Sequence, residues 1–222
     1  GLKAEVVYST LVGMIYGVPI KYIYEEFKEL VTLKPLPISW NSNVMLEFEN
    51  VFAWLDEEPR RVEDVIQRIA PYSLDRPPFD AFLAQPDRDG HVFLSPIGEV
   101  LWRHFRLEVE LVDAIDFPAE VAVPVEEKIA ESLRKAKHHY PEGTHKVCRK
   151  IAELPYICQI VSGFFEDTAS SRLKSFDDDG NIRLVWADGR KGVNLLVTTK
   201  AKGRLQTLKV AKQIQQLLEL RS

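Results

Sequence analysis

A motif that occurs twice constrains this chain more than any other feature. A tyrosine and a Gly/Pro turn lead into an expected short amphipathic helix. The first copy is Tyr16-Gly17-Val18-Pro19 ahead of Ile20 to Val31, and the second is Tyr140-Pro141-Glu142-Gly143 ahead of His145 to Leu154. Each copy is followed, further along, by an Asp-Gly turn opening into an apolar run: Asp89-Gly90 before His91 to Leu94, and Asp179-Gly180 before Asn181 to Val185. Gly and Pro fix where a chain turns, so the pattern predicts two similar units, each made of helices and then a small β element. With 222 residues, 45% of them hydrophobic, the chain has material for two cores.

Apolar spacing supplies the elements. Val6, Val7, Leu11 and Met14 predict a helix over Leu2 to Met14. Ile20, Ile23, Phe27, Leu30 and Val31 recur at helical spacing, with Glu25, Glu26, Lys28 and Glu29 between them as a solvated face. Asn41-Ser42-Asn43 can cap a helix that presents Val44, Phe48, Val51, Phe52 and Leu55. A further helix carries Val62, Val65, Ile66 and Ile69, and a helical turn at Phe79 to Leu83 precedes a strand at Val92 to Ser95. Leu107 to Val112 alternates and predicts a strand. Pro118 and Pro124 bracket a linker, so the expected modules are residues 1–119 and 120–222.

In the second module a helix is expected from Val125 to His139, and Thr144 is placed to cap the next, which Pro155 ends. Ile182 to Ala187 and Val193 to Thr199 flank Asp188-Gly189-Arg190-Lys191-Gly192 as a hairpin. Leu205 to Leu220 closes the chain as an amphipathic helix. The expected fold class is therefore α+β: two helix-rich winged-helix-like modules with small β wings and a closing C-terminal helix.

These features resemble the LOTUS (OST-HTH) family of winged-helix-like modules. Glu26-Phe27-Lys28-Glu29-Leu30 and Leu36-Pro37-Ile38 fit that family's opening, and Phe48 to Leu55 fits its aromatic-rich helix. Pro141-Glu142-Gly143 and Ile151-Ala152-Glu153-Leu154 fit the opening a second time, then diverge. The run from Pro71 to Pro78 departs from the pattern. The resemblance implies RNA binding, or docking of a partner such as a DEAD-box RNA helicase on a helical face.

Charge points in a compatible direction. The net charge is -4, but Arg183 to Ser222 hold nine basic residues against two acidic ones, leaving residues 1–182 at -11. Such asymmetry marks one end for an anionic partner. Arg190 and Lys191 fall at the expected hairpin tip, and Lys200, Lys202 and Arg204 at a strand-to-helix junction where free N–H groups also favour anions. These five are the candidate nucleic-acid-binding residues. Tyr22 and Tyr24 are candidate partner-binding residues, since Tyr22 lies off the apolar stripe of its expected helix.

Other chemistries find less support. His138, His139, His145, Cys148 and Cys158 contain no CxxC or HxxxH unit, so no metal site is expected. Phosphate-cradling and serine-nucleophile motifs are absent from the sequence. A PD-(D/E)xK-like nuclease is an alternative, drawing on Glu166, Asp167, Asp188, Lys200 and Lys202, but Thr198 stands where that motif needs its carboxylate. A homodimeric protein-interaction domain is a second alternative. The leading expectation is a non-enzymatic scaffold or adaptor that needs no cofactor and binds RNA or a protein partner. Two cysteines and the lack of an apolar span or leader place it in the cytoplasm or nucleus, as an excised part of a longer protein.

Overall fold

Among the described residues helices and short strands are interspersed before Ile157, four strands follow one another from Ile157 to Thr199, and a helix comes last. The structure is a computed structural model and describes residues 4–24, 29–35, 40–134, 141–166, 168 and 170–218. It is α+β, with a C-terminal helix. The chain divides into two compact units: residues 1–42 with 55–106, and residues 43–54 with 107–222. This division differs from the boundary at 119/120 drawn from Pro118 and Pro124.

The first unit begins with α1 (Ala4–Ile15), followed by a hairpin of β1 (Ile20–Tyr24) and β2 (Glu29–Leu33). The helix expected from Ile20 to Val31 is not formed. Ile20-Lys21-Tyr22-Ile23-Tyr24 and Leu30-Val31-Thr32-Leu33 are rich in β-branched and aromatic residues, and their alternation fits a pleated ribbon as well as a helix. Ile20 lies against the backbone of α1 at Gly13, where a Cβ would collide with the Ile20 side chain. Further on in this unit come α4 (Val62–Ile69), α5 (Phe79–Phe82) and a short pairing of β3 (Arg60–Arg61) with β4 (His91–Val92). Helix α3 spans Glu49–Glu57, and α6 spans Pro96–Val112; each contributes residues to both units.

The strand expected at Leu107 to Val112 is the C-terminal part of α6. Its alternation is local, whereas Leu101, Trp102, Phe105, Val109 and Val112 continue one helical stripe, and all but Val109 are fully buried. Near the start of α6, Gly98 passes so close to the Phe82 carbonyl that no Cβ could be accommodated.

The second unit is built on a four-stranded antiparallel sheet in the order β5-β8-β7-β6, where β5 is Ile157–Glu166, β6 is Arg172–Phe176, β7 is Asn181–Ala187 and β8 is Gly192–Thr199. The second Asp-Gly turn opens β7, as its sequence predicts. Before the sheet come α2 (Asn43–Glu47), a 3-10 turn at Val125–Lys128, α7 (Glu131–Arg134) and α8 (Pro141–Ala152). The single helix expected from Val125 is thus interrupted at Ile129, which bridges in parallel to Ile160 of β5. Residues 135–139 of that expected helix lie outside the described residues. Pro141 opens α8, so Thr144 is a buried interior residue rather than its cap. The closing helix is α9 (Gly203–Leu217).

One face of the sheet makes the core. Ile160, Ile182, Leu184, Leu195 and Val197 are fully buried, as are Cys148 and Ile151 of α8 and Leu208, Ala211 and Ile214 of α9. Each large side chain buried in this way contributes about 1.5–3 kcal/mol. Burial also pushes the Cys148 thiol up to about 12, which marks it as packing rather than as a nucleophile. Lys128 is 3% exposed and donates from Nζ to the carbonyls of Ala152 (3.0 Å) and Leu154 (3.2 Å), so its ammonium sits on carbonyls at and just beyond the end of α8.

Replacing Gly98 with alanine is expected to lower stability by about 1–3 kcal/mol, because the colliding atoms are backbone and cannot rotate away. Urea unfolding of wild type and Gly98→Ala measures it. An unchanged midpoint would contradict this packing.

Candidate nucleic-acid interface

The hairpin of β7 and β8 positions the first pair of candidate cations. Asp188 follows the last β7 residue, and its Oδ1 accepts the backbone N–H groups of Arg190 and Lys191, each at 2.9 Å. Its own N–H donates to the Lys191 carbonyl at 3.1 Å. Gly189 takes a φ of 93°, which the tip requires and which side-chain-bearing residues disfavour. The tip is therefore a defined turn, with exposed Arg190 and Lys191 standing on it.

The other three candidates sit at the far end of β8. Lys200 directly follows the strand, Lys202 is the residue before α9, and both are exposed. Eight strand residues separate them from the tip, about 26 Å of extended chain. The five candidates thus form two groups. Arg204 is also differently placed: its Nε and Nη2 donate to Glu108 at 2.6 and 3.0 Å, and its guanidinium lies 5.1 Å from the Phe176 ring centre. That charge is used within the protein.

The same sorting applies to the whole basic segment. Lys209 donates to the Ile115 carbonyl and lies 4.5 Å from the Phe117 ring centre, and Lys212 pairs with Glu49. By contrast Arg183, Arg190, Lys191, Lys200 and Lys202 are exposed and make no ion pair among the described residues. Arg183 was hidden at the sequence level by its place in the middle of a strand. Helix α8 exposes three further cations, Lys146, Arg149 and Lys150, of which Arg149 pairs with Glu126 at 3.1 Å; the acidic total of residues 1–182 conceals them.

Acidic groups near these cations are largely occupied. Glu166, at the end of β5, accepts from Lys174 Nζ at 3.2 Å, Arg172 Nη2 at 3.3 Å and Asn194 Nδ2 at 3.1 Å. Arg172 Nε in turn donates to Glu47 of α2 at 2.9 Å. The carboxylate of Glu166 is therefore already neutralised. It pairs in register with Gly192, at the opposite end of β8 from Lys200, so the sheet does not bring the nuclease candidates Glu166, Lys200 and Lys202 together. Asp167 lies outside the described residues. Groups of three or more His, Cys, Asp or Glu able to hold a metal do not occur among the described residues.

Asp177 does for the β6–β7 turn what Asp188 does for the tip. Its carboxylate accepts the N–H groups of Asp179 and Asn181, at 3.0 and 2.9 Å, and the Asn181 amide at 2.8 Å. Desolvation works to raise its pKa, but these bonds outweigh that and hold it below the usual value. Asp178 and Asp179 of this turn are exposed at the sheet end that carries Lys200 and Lys202, and temper the charge there.

The tyrosine candidates lie on β1 rather than on a helix. Tyr22 is half-buried opposite Val31, and the side chain of Tyr24 lies outside the described residues. Among the apolar residues described in the hairpin, the cross-strand pair Ile23 and Leu30 is exposed, at 67% and 60%. Sequence reasoning missed them because it placed both on a buried helical stripe. No helix among the described residues is long and apolar enough to cross a membrane.

A family model described as CRISPR-associated protein (Cas_APE2256) matches residues 1–36, the stretch that carries α1, β1 and β2. No curated protein matches the chain.

Hydrogen bonds from the Lys191 and Arg190 backbone lower the pKa of Asp188. A carboxyl lowered on folding stabilises above its unfolded value and loses that effect as pH falls through the folded one. The tip is therefore expected to stay ordered above the ordinary value of 3.8 and to loosen as pH falls below it. Amide exchange at Lys191 against pH measures this, and Asp188→Asn is expected to remove the dependence. A midpoint above 3.8 would contradict the capped turn.

Proposed function

We propose that this chain is a non-enzymatic module that binds RNA through the basic surface of its second unit. The observation that carries the reading is the sorting of cations: Arg190 and Lys191 stand exposed on a capped hairpin tip, while Arg204, Lys209 and Lys212 are engaged within the protein. Cations already paired within the protein contribute little to a phosphate contact. Exposed ones on a rigid turn lose less freedom on binding and release counterions from the polyanion. Contacts of this type position the backbone and carry little sequence preference. The match of residues 1–36 to a CRISPR-associated family is compatible with work alongside nucleic acid, and does not distinguish binding from cleavage.

A second reading is favoured by one separate observation. Ile23 and Leu30 form an exposed apolar pair on the first unit, which suits a protein partner, a helicase or a second copy of the chain included.

Fluorescence anisotropy with a labelled single-stranded RNA, at low and physiological salt and with or without magnesium, tests the first reading. Binding is expected to fall steeply with salt while the RNA stays intact. Replacing Arg190 and Lys191 together by alanine is expected to weaken it and to reduce the salt slope by about 2. Absence of binding at low salt would overturn the proposal, and magnesium-dependent cleavage would replace it with the nuclease alternative.

A further inference from the structure

The outer face of the four-stranded sheet carries an exposed aromatic beside an exposed cation. Residues directly opposite each other in an antiparallel pair share a face. Phe164 of β5 is opposite Asn194 of β8, which is opposite Val185 of β7; Val185 is fully buried, so the open part of this face lies along β5 and β8 and at Arg183. One register step of two residues away, Arg183 of β7 is opposite Leu196 of β8. The other face holds Ile182, Leu184, Leu195 and Val197, all fully buried. Phe164 is 64% exposed, and Arg183 is exposed and makes no ion pair among the described residues. Two strand spacings and two residues separate them, about 12 Å.

From this we infer that the outer sheet face is a stacking platform for single-stranded RNA, with Phe164 against a base and Arg183 against the adjoining backbone. The inference rests on the RNA-binding reading above and extends its site from the hairpin tip onto the sheet. Charge selects the occupant. An apolar protein surface laid on this face would strip water from Arg183 and leave its charge unpaired, which is costly. A single strand offers both what Phe164 needs, a flat apolar ring, and what Arg183 needs, a phosphate. A duplex hides the faces of its bases, so it cannot use Phe164.

The carboxylate nearest to Phe164 along the same face does not oppose this path. Glu166 is two residues further along β5 and is held by Lys174, Arg172 and Asn194. Exposed acids gather instead at Asp178 and Asp179, beyond Asn181 and Thr198. The favourable track therefore runs from Arg190 and Lys191 at the tip, over Phe164, to Arg183, and stops short of the β6–β7 turn.

The test uses the full chain, one labelled oligoribonucleotide and the same oligonucleotide annealed to its complement. Phe164→Ala and Phe164→Leu are each expected to weaken single-strand binding about tenfold, since leucine keeps apolar bulk but lacks a stacking face. Arg183→Ala is expected to weaken it and to lower the salt slope by about 1. Phe93→Ala removes another exposed phenylalanine, on the first unit, and is expected to change nothing. Duplex binding is expected to be indifferent to Phe164. If the Phe164 variants bind like wild type while the Arg190 and Lys191 double variant still loses affinity, the platform is overturned and the RNA-binding reading stands. If wild type does not bind, both fall together. If Phe164→Ala leaves binding intact but changes the sedimenting mass of the free protein, the face is a protein contact and the inference is overturned.

Discussion

The register of β8 is the constraint on which the second unit depends. This strand is paired on both sides, to β5 and to β7, so its position along each neighbour is fixed by hydrogen bonds. A slip of one residue would turn Val193, Leu195 and Val197 out to solvent and drive Asn194 and Thr198 into the core. The cost of that exchange locks which side chains face α8 and α9 and which face outward. It also fixes where the cations stand, because Arg190 and Lys191 lead into β8 and Lys200 and Lys202 lead out of it. The core and the candidate interface are thus two faces of one register.

Internal pairing decides which positive charges are left over. Arg172, Lys174, Arg204, Lys209 and Lys212 tie β6 and α9 to Glu47, Glu166, Glu108, the Ile115 carbonyl and Glu49. Such half-buried contacts hold their long side chains in place and so specify how α2, α6 and α9 meet the sheet. The exposed cations have no such task. Two carboxylates, Asp177 and Asp188, shape the turns at opposite ends of β7 by accepting backbone N–H groups, and are thereby unavailable to repel an anion with full effect. A net charge of -4 over the chain thus coexists with a local group of exposed, unpaired cations among the described residues.

The sequence made some of this legible and concealed the rest for identifiable reasons. The β7–β8 hairpin was readable because Asp188-Gly189 demands a turn and the flanking runs alternate. Helix α9 was readable because Leu208, Ala211 and Ile214 share one face. The β1–β2 hairpin was not, since Ile20, Ile23 and Leu30 satisfy a helical spacing and a pleated one equally well over so few residues. Leu107 to Val112 misled in the opposite direction: a short alternation sat inside a longer helical stripe that began at Leu101. For the site, exposure of Arg190 and Lys191 followed from the turn, but the engagement of Arg204 by Glu108 joins residues 96 positions apart and leaves no local trace. Phe164 leaves no local trace either: only the cross-strand register reveals which side of the sheet it occupies.

Hydrogen exchange of the full chain, free and with saturating single-stranded RNA, tests the central claim most directly. The account predicts slower exchange confined to the second unit, at the 188–192 tip and along the 162–166 and 181–185 strands. Unchanged exchange throughout those segments in an RNA-bound sample, or protection located on the β1–β2 hairpin instead, would contradict it.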